Sequence, residues 1–286
     1  MHFNIKMYAR LETEPQDAIG NFGMKMATFL TWCAMNKYVP IIDDAFTKYG
    51  RDIALVPTLD QKDCEAVKGQ CAINAFFHFN PLNVQHLQHC IQPTPKLQIR
   101  IDDAWEKVKG CKAAFHIRRG LSAPDSVKYG FLPFASQVAV DAMIKEAKKI
   151  KGKVFVASDS LSTKEYVRNQ LGKDKVVMLD HDIGFTGDEH SQRVNVDNED
   201  VDKKLNSYVE WFILGKCPSV YITAGGVCGR NVPEGTEEGI TSTFGYSAAI
   251  YGGKLPFYVF NDGEIFYPFP KPQPDNPKYC WSDLPC

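Results

Sequence analysis

From residue 111 onward the chain alternates short apolar runs with longer stretches whose apolar residues recur every three or four positions. The runs are KAAFHI (112–117), KVFVAS (153–158), KVVMLD (175–180), SVYITA (219–224) and PFYVF (256–260). Helical spacing fills the gaps at 133–150, 162–172, 203–217 and 244–252. Continuous apolar strands between amphipathic helices predict a parallel sheet covered on both faces, a Rossmann-like domain. Ser162 with Glu165 three residues later reads as a capping box for the second helix.

The first 110 residues are less regular. A strand at 3–9 leads through a loop into a helix over about 22–37, and VPIID (39–43) follows as a strand, so the chain opens as βαβ. INAFFHF (73–79) reads as one more strand, ending at His78, which is either a core histidine or a group facing a cleft. Residues 80–110 read as a loop and a helix linking the halves, and 267–286 as a proline-rich tail over the surface. The predicted class is α/β, with two Rossmann-like domains, 1–110 and 111–286, facing a central cleft.

Composition narrows the partners. The chain has 286 residues, 44% hydrophobic and 23% charged, which suits two globular domains. A formal net charge of −1 gives no field for a nucleic-acid backbone or an anionic membrane, so any anion site must be local. No apolar run reaches the roughly 18 residues that a transmembrane helix needs, and the start lacks a signal-peptide core. Nine cysteines lie at 33, 64, 71, 90, 111, 217, 228, 280 and 286. Cys64 with Cys71, and Cys280 with Cys286, could each close a small loop, while the absence of CxxC gives no support for zinc. No Asn-x-Ser/Thr sequon occurs, which favours reduced thiols and the cytoplasm. A lumenal chain trimmed of its anchor would show the same features.

In open α/β sheets, ligands bind where strands end. The first strand of the second half ends in HIRRG, placing His116, Arg118 and Arg119 together. Guanidinium forks match phosphate oxygens, but they match a carboxylate of the protein equally well. Side chains alternate along a strand, so at most one of the two arginines points easily into a shared site. The second strand ends in Asp159 and Ser160, which could contact a nucleotide or cap the next helix. Thr241, Ser242 and Thr243 precede the small-residue helix at 244–252, whose N-terminus offers free N–H groups and a positive dipole end. Together an arginine pair, an acid and a hydroxyl-bearing helix start suit one nucleoside diphosphate.

In this order and spacing HIRRG, FVASDS and STFGYSAA resemble the metal-independent GT-B fucosyltransferases: the α-1,6-, α-1,2- and protein O-fucosyltransferases and the plant xyloglucan enzymes. IGNFGMKMATFLTWCAMNKYVPI is similar to the Gly-rich loop and first helix of the protein O-fucosyltransferases. The resemblance covers about residues 18–42 and 111–260. It implies inverting transfer of fucose from GDP-fucose to a carbohydrate or glycoprotein hydroxyl, with no metal and no further cofactor. Arg118 falls on the arginine that neutralises the β-phosphate, with Arg119 beside it and His116 packing or orienting it. Asp159 and Ser160 fall where the guanine base is held. Ser242, Thr243 and Phe244 fall on the pyrophosphate cradle, and Gly20, Asn21, Phe22 and Gly23 on the donor-facing loop.

That loop departs from the pattern, because Met24 stands where the protein O-fucosyltransferases have asparagine. Asn21 could substitute for it. Asp43 and Asp44, at the end of VPIID, are candidates for the general base by position only, a helix cap or surface pair being the favoured role for both. Two other readings stand beside fucose transfer: the same fold with another nucleotide sugar, and a silent nucleotide- or glycan-binding relative.

Overall fold

The computed structural model of the protein describes residues 7–12, 33, 38–41, 53–55, 65–68, 88, 91–119, 135–180, 201–225 and 243–266. Residues 20–24, Asp43, Asp44, the expected strand at 73–79 with His78, Ser242 and the tail lie outside the described residues, as does the side chain of Thr243. The expected helix at 22–37 also lies outside them, except for Cys33, which is helical and buried. The chain divides between Ile99 and Arg100 into two compact units.

The first unit contains β1 (Met7–Glu12), β2 (Tyr38–Ile41), β3 (Ile53–Leu55), β4 (Glu65–Lys68) and β5 (Ile91–Pro93). β1 pairs in parallel with β2, Met7 opposite Tyr38, as a βαβ opening requires. β4 pairs in parallel on the other edge of β1, giving the order β2-β1-β4, while β3 and β5 form an antiparallel pair. β1 extends to Glu12 rather than stopping at 9, because Leu11 and Glu12 find partners in Val67 and Lys68. EAVK has too few apolar positions to announce a strand, and only that pairing makes it one.

Helix α1 (Pro95–Val108) crosses the division. Leu97, Ile101, Ala104 and Val108 recur along one stripe and are all buried. The second unit continues with β6 (Ala113–Ile117), α2 (Gln137–Lys149), β7 (Val154–Ser158), α3 (Leu161–Leu171), β8 (Val176–Val177) and α4 (Val201–Lys216). It ends with β9 (Val220–Gly225), α5 (Thr243–Tyr251), β10 (Phe257–Phe260) and β11 (Ile265–Phe266). Six strands form one sheet in the order β11-β10-β9-β6-β7-β8, parallel except for β11. Of KVVMLD only Val176 and Val177 pair, at the edge of the sheet. β11 was not legible as a strand, although the Asn261-Asp262-Gly263 turn before it, with Gly263 at φ +86°, marks a hairpin.

Alternation along β6 assigns its two faces. Ala113, Phe115 and Ile117 pack in one core with Ala139, Val140, Met143, Ile144 and Ala147 of α2. Phe115 stacks on Tyr221 of β9 with ring centres 4.6 Å apart. His116 and Ile222 lie against Gly245 of α5. Gly215 and Gly252 let α4 and α5 approach backbone to backbone, since a Cβ on Gly215 would meet the Ala248 carbonyl at 2.8 Å.

The capping box at Ser162 and Glu165 is not what starts α3. Ser160 is the cap, two residues before Ser162, its Oγ accepting from the Thr163 N–H at 3.2 Å, and the helix begins at Leu161. A Ser160 cap seats the turn directly on the end of β7, whereas a Ser162 cap would leave two extra residues to be accommodated. Ser136 caps α2 in the same way, and its N–H and hydroxyl are both bonded to Asn261 beyond β10, at 2.7 Å each.

Candidate functional site

Chain order runs outward from β6 through β7 to β8, then crosses to β9 on the other side of β6. The carboxyl ends of β6 and β9 therefore diverge at a topological switch point, where this kind of sheet binds its ligands. HIRRG ends β6 there. The Arg118 N–H donates to Thr223 Oγ1 of β9 at 3.0 Å, which fixes the backbone between the two strands.

The arginines separate. Arg118 Nη1 donates to Asp159 Oδ2 at 2.7 Å, and the other oxygen of the same carboxylate accepts the Arg119 N–H at 2.8 Å. Arg119 Nη1 turns instead to the Ala135 carbonyl at 2.7 Å, pinning the start of α2. The structure thus brings together the Arg118 guanidinium, the Arg119 amide and Asp159, with the Arg119 guanidinium directed away from them. Ser160 sits one residue from Asp159, its hydroxyl taken up by the cap and by a 3.0 Å contact with Ser162 Oγ. Ser158 Oγ closes the turn by donating to the Ile117 carbonyl at 2.8 Å.

His116 occupies the centre. It is buried and stacks on Phe244 of α5, ring centres 5.1 Å apart, which brings the first turn of α5 to the same place. Burial drives its imidazole from the ordinary 6.5 down to about 4, Asp159 opposing that shift and Arg118 adding to it, with smaller opposing influences from Glu210 and Lys164. Its Nδ1 is the one buried side-chain nitrogen or oxygen among the described residues with no hydrogen-bond partner. Such an atom costs roughly 1–3 kcal/mol.

Two outcomes follow. The unfolded chain binds a proton on His116 below pH 6.5 and the folded one only below about 4. Stability should therefore rise by about 3 kcal/mol as pH climbs through that window, and stay level above it. Urea melts at pH 4.5 and 7.5 should show that this increment is missing in His116→Phe. The second outcome concerns Gly245, where a Cβ would stand 2.7 Å from His116 Nδ1 and 2.8 Å from Ile222 Cγ2. Gly245→Ala should cost about 1–3 kcal/mol in a denaturant melt, because the ring has packed neighbours and nowhere to retreat.

The sequence left three contributors unread. Thr223 is a hydroxyl inside an apolar strand, and that polarity was its signal. Lys164 and Glu210 form an ion pair at 3.0 Å with both side chains buried. Glu210 interrupts the apolar run of YVEWFIL, which marked it as a buried charge in need of a partner. Among the described residues no group of three or more His, Cys, Asp or Glu could hold a metal ion. No helix among them is long and apolar enough to cross a membrane.

No protein-family model matches the chain, and no curated protein matches it. Solved structures do. A mutant of Arabidopsis thaliana FUT1 in complex with GDP superposes with a TM-score of 0.51 and 11% identity, over 90% of this chain and 70% of that one. The chain has a fucosyltransferase-like fold. The α-1,6-fucosyltransferase NodZ of Bradyrhizobium, co-crystallised with GDP, gives a TM-score of 0.49 and 13% identity over 91% of this chain and 98% of NodZ. A NodZ crystal soaked with GDP-fucose gives 0.47 and the same identity and coverage. The FUT1 likeness agrees with the fold that the HIRRG, FVASDS and STFGYSAA resemblance implies.

Proposed function

We propose that the chain is an inverting, metal-independent glycosyltransferase of GT-B arrangement that transfers fucose from GDP-fucose to a carbohydrate or glycoprotein hydroxyl. In this reading the domain from residue 111 onward holds the donor, and the N-terminal domain faces the acceptor. The observation that carries it is the convergence of Arg118, the Arg119 amide and the first turn of α5 at the switch point between β6 and β9. The FUT1 structure of the same fold is a GDP complex, which supports a nucleoside diphosphate there.

The chemistry follows from where charge develops. The acceptor oxygen attacks C1 of the sugar from the face opposite GDP. The bond from C1 to the β-phosphate oxygen breaks, and its electron pair stays on GDP. The hydroxyl proton passes to a base, for which Asp43 and Asp44 remain the candidates. Negative charge grows on the β-phosphate as C1 gains oxocarbenium character, so a guanidinium held beside it favours the transition state over the ground state. Asp159 holds the Arg118 fork in place by two-point contact with residues 118 and 119. The α5 N-terminus, with Ser242 and Thr243, supplies N–H and hydroxyl donors to the pyrophosphate, and Gly20, Asn21, Phe22 and Gly23 are further donor contacts in this reading.

Calorimetry in EDTA with GDP, GDP-fucose, GDP-mannose and UDP-galactose tests the reading. Micromolar binding of GDP and GDP-fucose alone is the expected result. Selective binding of another nucleotide sugar would keep the fold and replace fucose. Binding of none of them would put the silent relative in its place.

A further inference from the structure

The two helix N-termini beside the switch point are tied to consecutive residues of one helix. Lys164 closes the first turn of α3, its N–H donating to the Ser160 carbonyl at 3.0 Å, and its Nζ reaches Glu210 Oε1 of α4 at 3.0 Å. Next to Glu210, Trp211 Nε1–H donates to Ser247 Oγ of α5 at 2.9 Å, and that hydroxyl donates to the Phe244 carbonyl at 3.3 Å. One line runs from Glu210 through Lys164 and Ser160 to Asp159, which grips Arg118. The other runs from Trp211 through Ser247 to Phe244, which stacks on His116.

We propose that Glu210 and Trp211 form a brace that sets the distance and angle between the α3 and α5 N-termini, making them, with Lys164, positioning residues for the Arg118 site. This rests on reading the switch point as the diphosphate site of the donor. The physical ground is that apolar contact is non-directional. A buried ion pair is commonly no more stable than well-packed apolar residues of the same volume. Sealing α3 against α4 therefore does not require charges. What an ion pair and an indole N–H bond add is direction: the ion pair holds Lys164 in the first turn of α3, and the indole holds Ser247, whose hydroxyl reaches back to the Phe244 carbonyl in the first turn of α5.

The test replaces the pair by apolar residues of similar volume, Lys164→Met with Glu210→Leu, so that no lone charge is left, and separately removes the indole donor by Trp211→Phe. Hydrogen exchange of the ligand-free protein is the first readout. In the paired variant the amides of Arg119, Thr163 and Lys164 should exchange about 10-fold faster, those of α2 remaining as in wild type. In Trp211→Phe the change should fall on Ser247 and Ala248. Calorimetry with GDP is the second readout: the paired variant should weaken binding about 10-fold, with no further loss in an Arg118→Ala background, as coupled residues behave. The melting temperature should stay near that of wild type.

Unaltered exchange together with unaltered GDP affinity overturns the brace. If wild type itself does not bind GDP, the diphosphate reading falls and exchange alone decides the brace. Should the paired variant fail to fold, Glu210→Gln, which keeps the shape and one hydrogen bond but not the charge, takes its place with the same expected change in exchange and GDP affinity, at a lower melting temperature because the Lys164 ammonium stays buried.

Discussion

Arg118→Ala should lower kcat/KM for transfer from GDP-fucose by about 100- to 1,000-fold and leave the fold intact. A donor aimed at charge that develops in the transition state contributes on the order of 3–4 kcal/mol when it is held in place beforehand. Arg118 meets that condition, with its Nη1 on Asp159 at 2.7 Å and its N–H on Thr223. Its side chain remains 35% exposed, so truncation opens no cavity in the core. Arg118→Lys should recover only part of the loss, because an ammonium keeps the charge but not the planar fork that spans two oxygens. Release of GDP, followed alongside a thermal melt, separates this from unfolding. A variant that melts like wild type and turns over like wild type would end the assignment of Arg118.

The largest stability effect should come from Lys164→Met on its own. Both ends of the Lys164–Glu210 pair are buried, and removing the ammonium leaves the carboxylate inside without it. Breaking one side of such a pair costs about 3–5 kcal/mol. For a unit of this size that lowers the melting temperature by about 10 °C. Adding Glu210→Leu should restore most of it, since the pair can be exchanged for apolar packing although half of it cannot. The single variant melting at the wild-type temperature would show that water reaches the pair. The contrast matters for the brace, whose removal by the paired substitution should appear in exchange and in GDP affinity while the melting temperature hardly moves.

These effects sit in different parts of the molecule's economy of contacts. In the proposed reading Arg118 acts on a reacting group, and its half-exposed side chain leaves the core packing as it is. Lys164 and Glu210 act on where Asp159 stands, and Asp159 acts on Arg118. His116 contributes through packing: it is neutral at pH 7, stacked on Phe244, and protected by the absence of a side chain at Gly245. Retaining the neutral ring there is what makes stability rise with pH between about 4 and 6.5.

The sequence by itself determined what depends on neighbours along the chain. Apolar runs broken by helical spacing located β6, β7, β9, β10 and the helices between them, because one buried face imposes its period on any segment that carries it. Strand ends located Arg118 and Asp159, and the start of a small-residue helix located the α5 N-terminus, because charges are costly to bury and collect where a run leaves the core. The tertiary structure decided what depends on strand order. Arg118 meets Asp159 across 41 residues and Thr223 across 105, and no local period contains either distance. It chose which arginine points inward, moved the cap from Ser162 to Ser160, made a strand of EAVK through pairing with β1, and joined Lys164 to Glu210. A period reports that a face is buried, whereas the partner on the other side of that face is set by how the sheet is ordered.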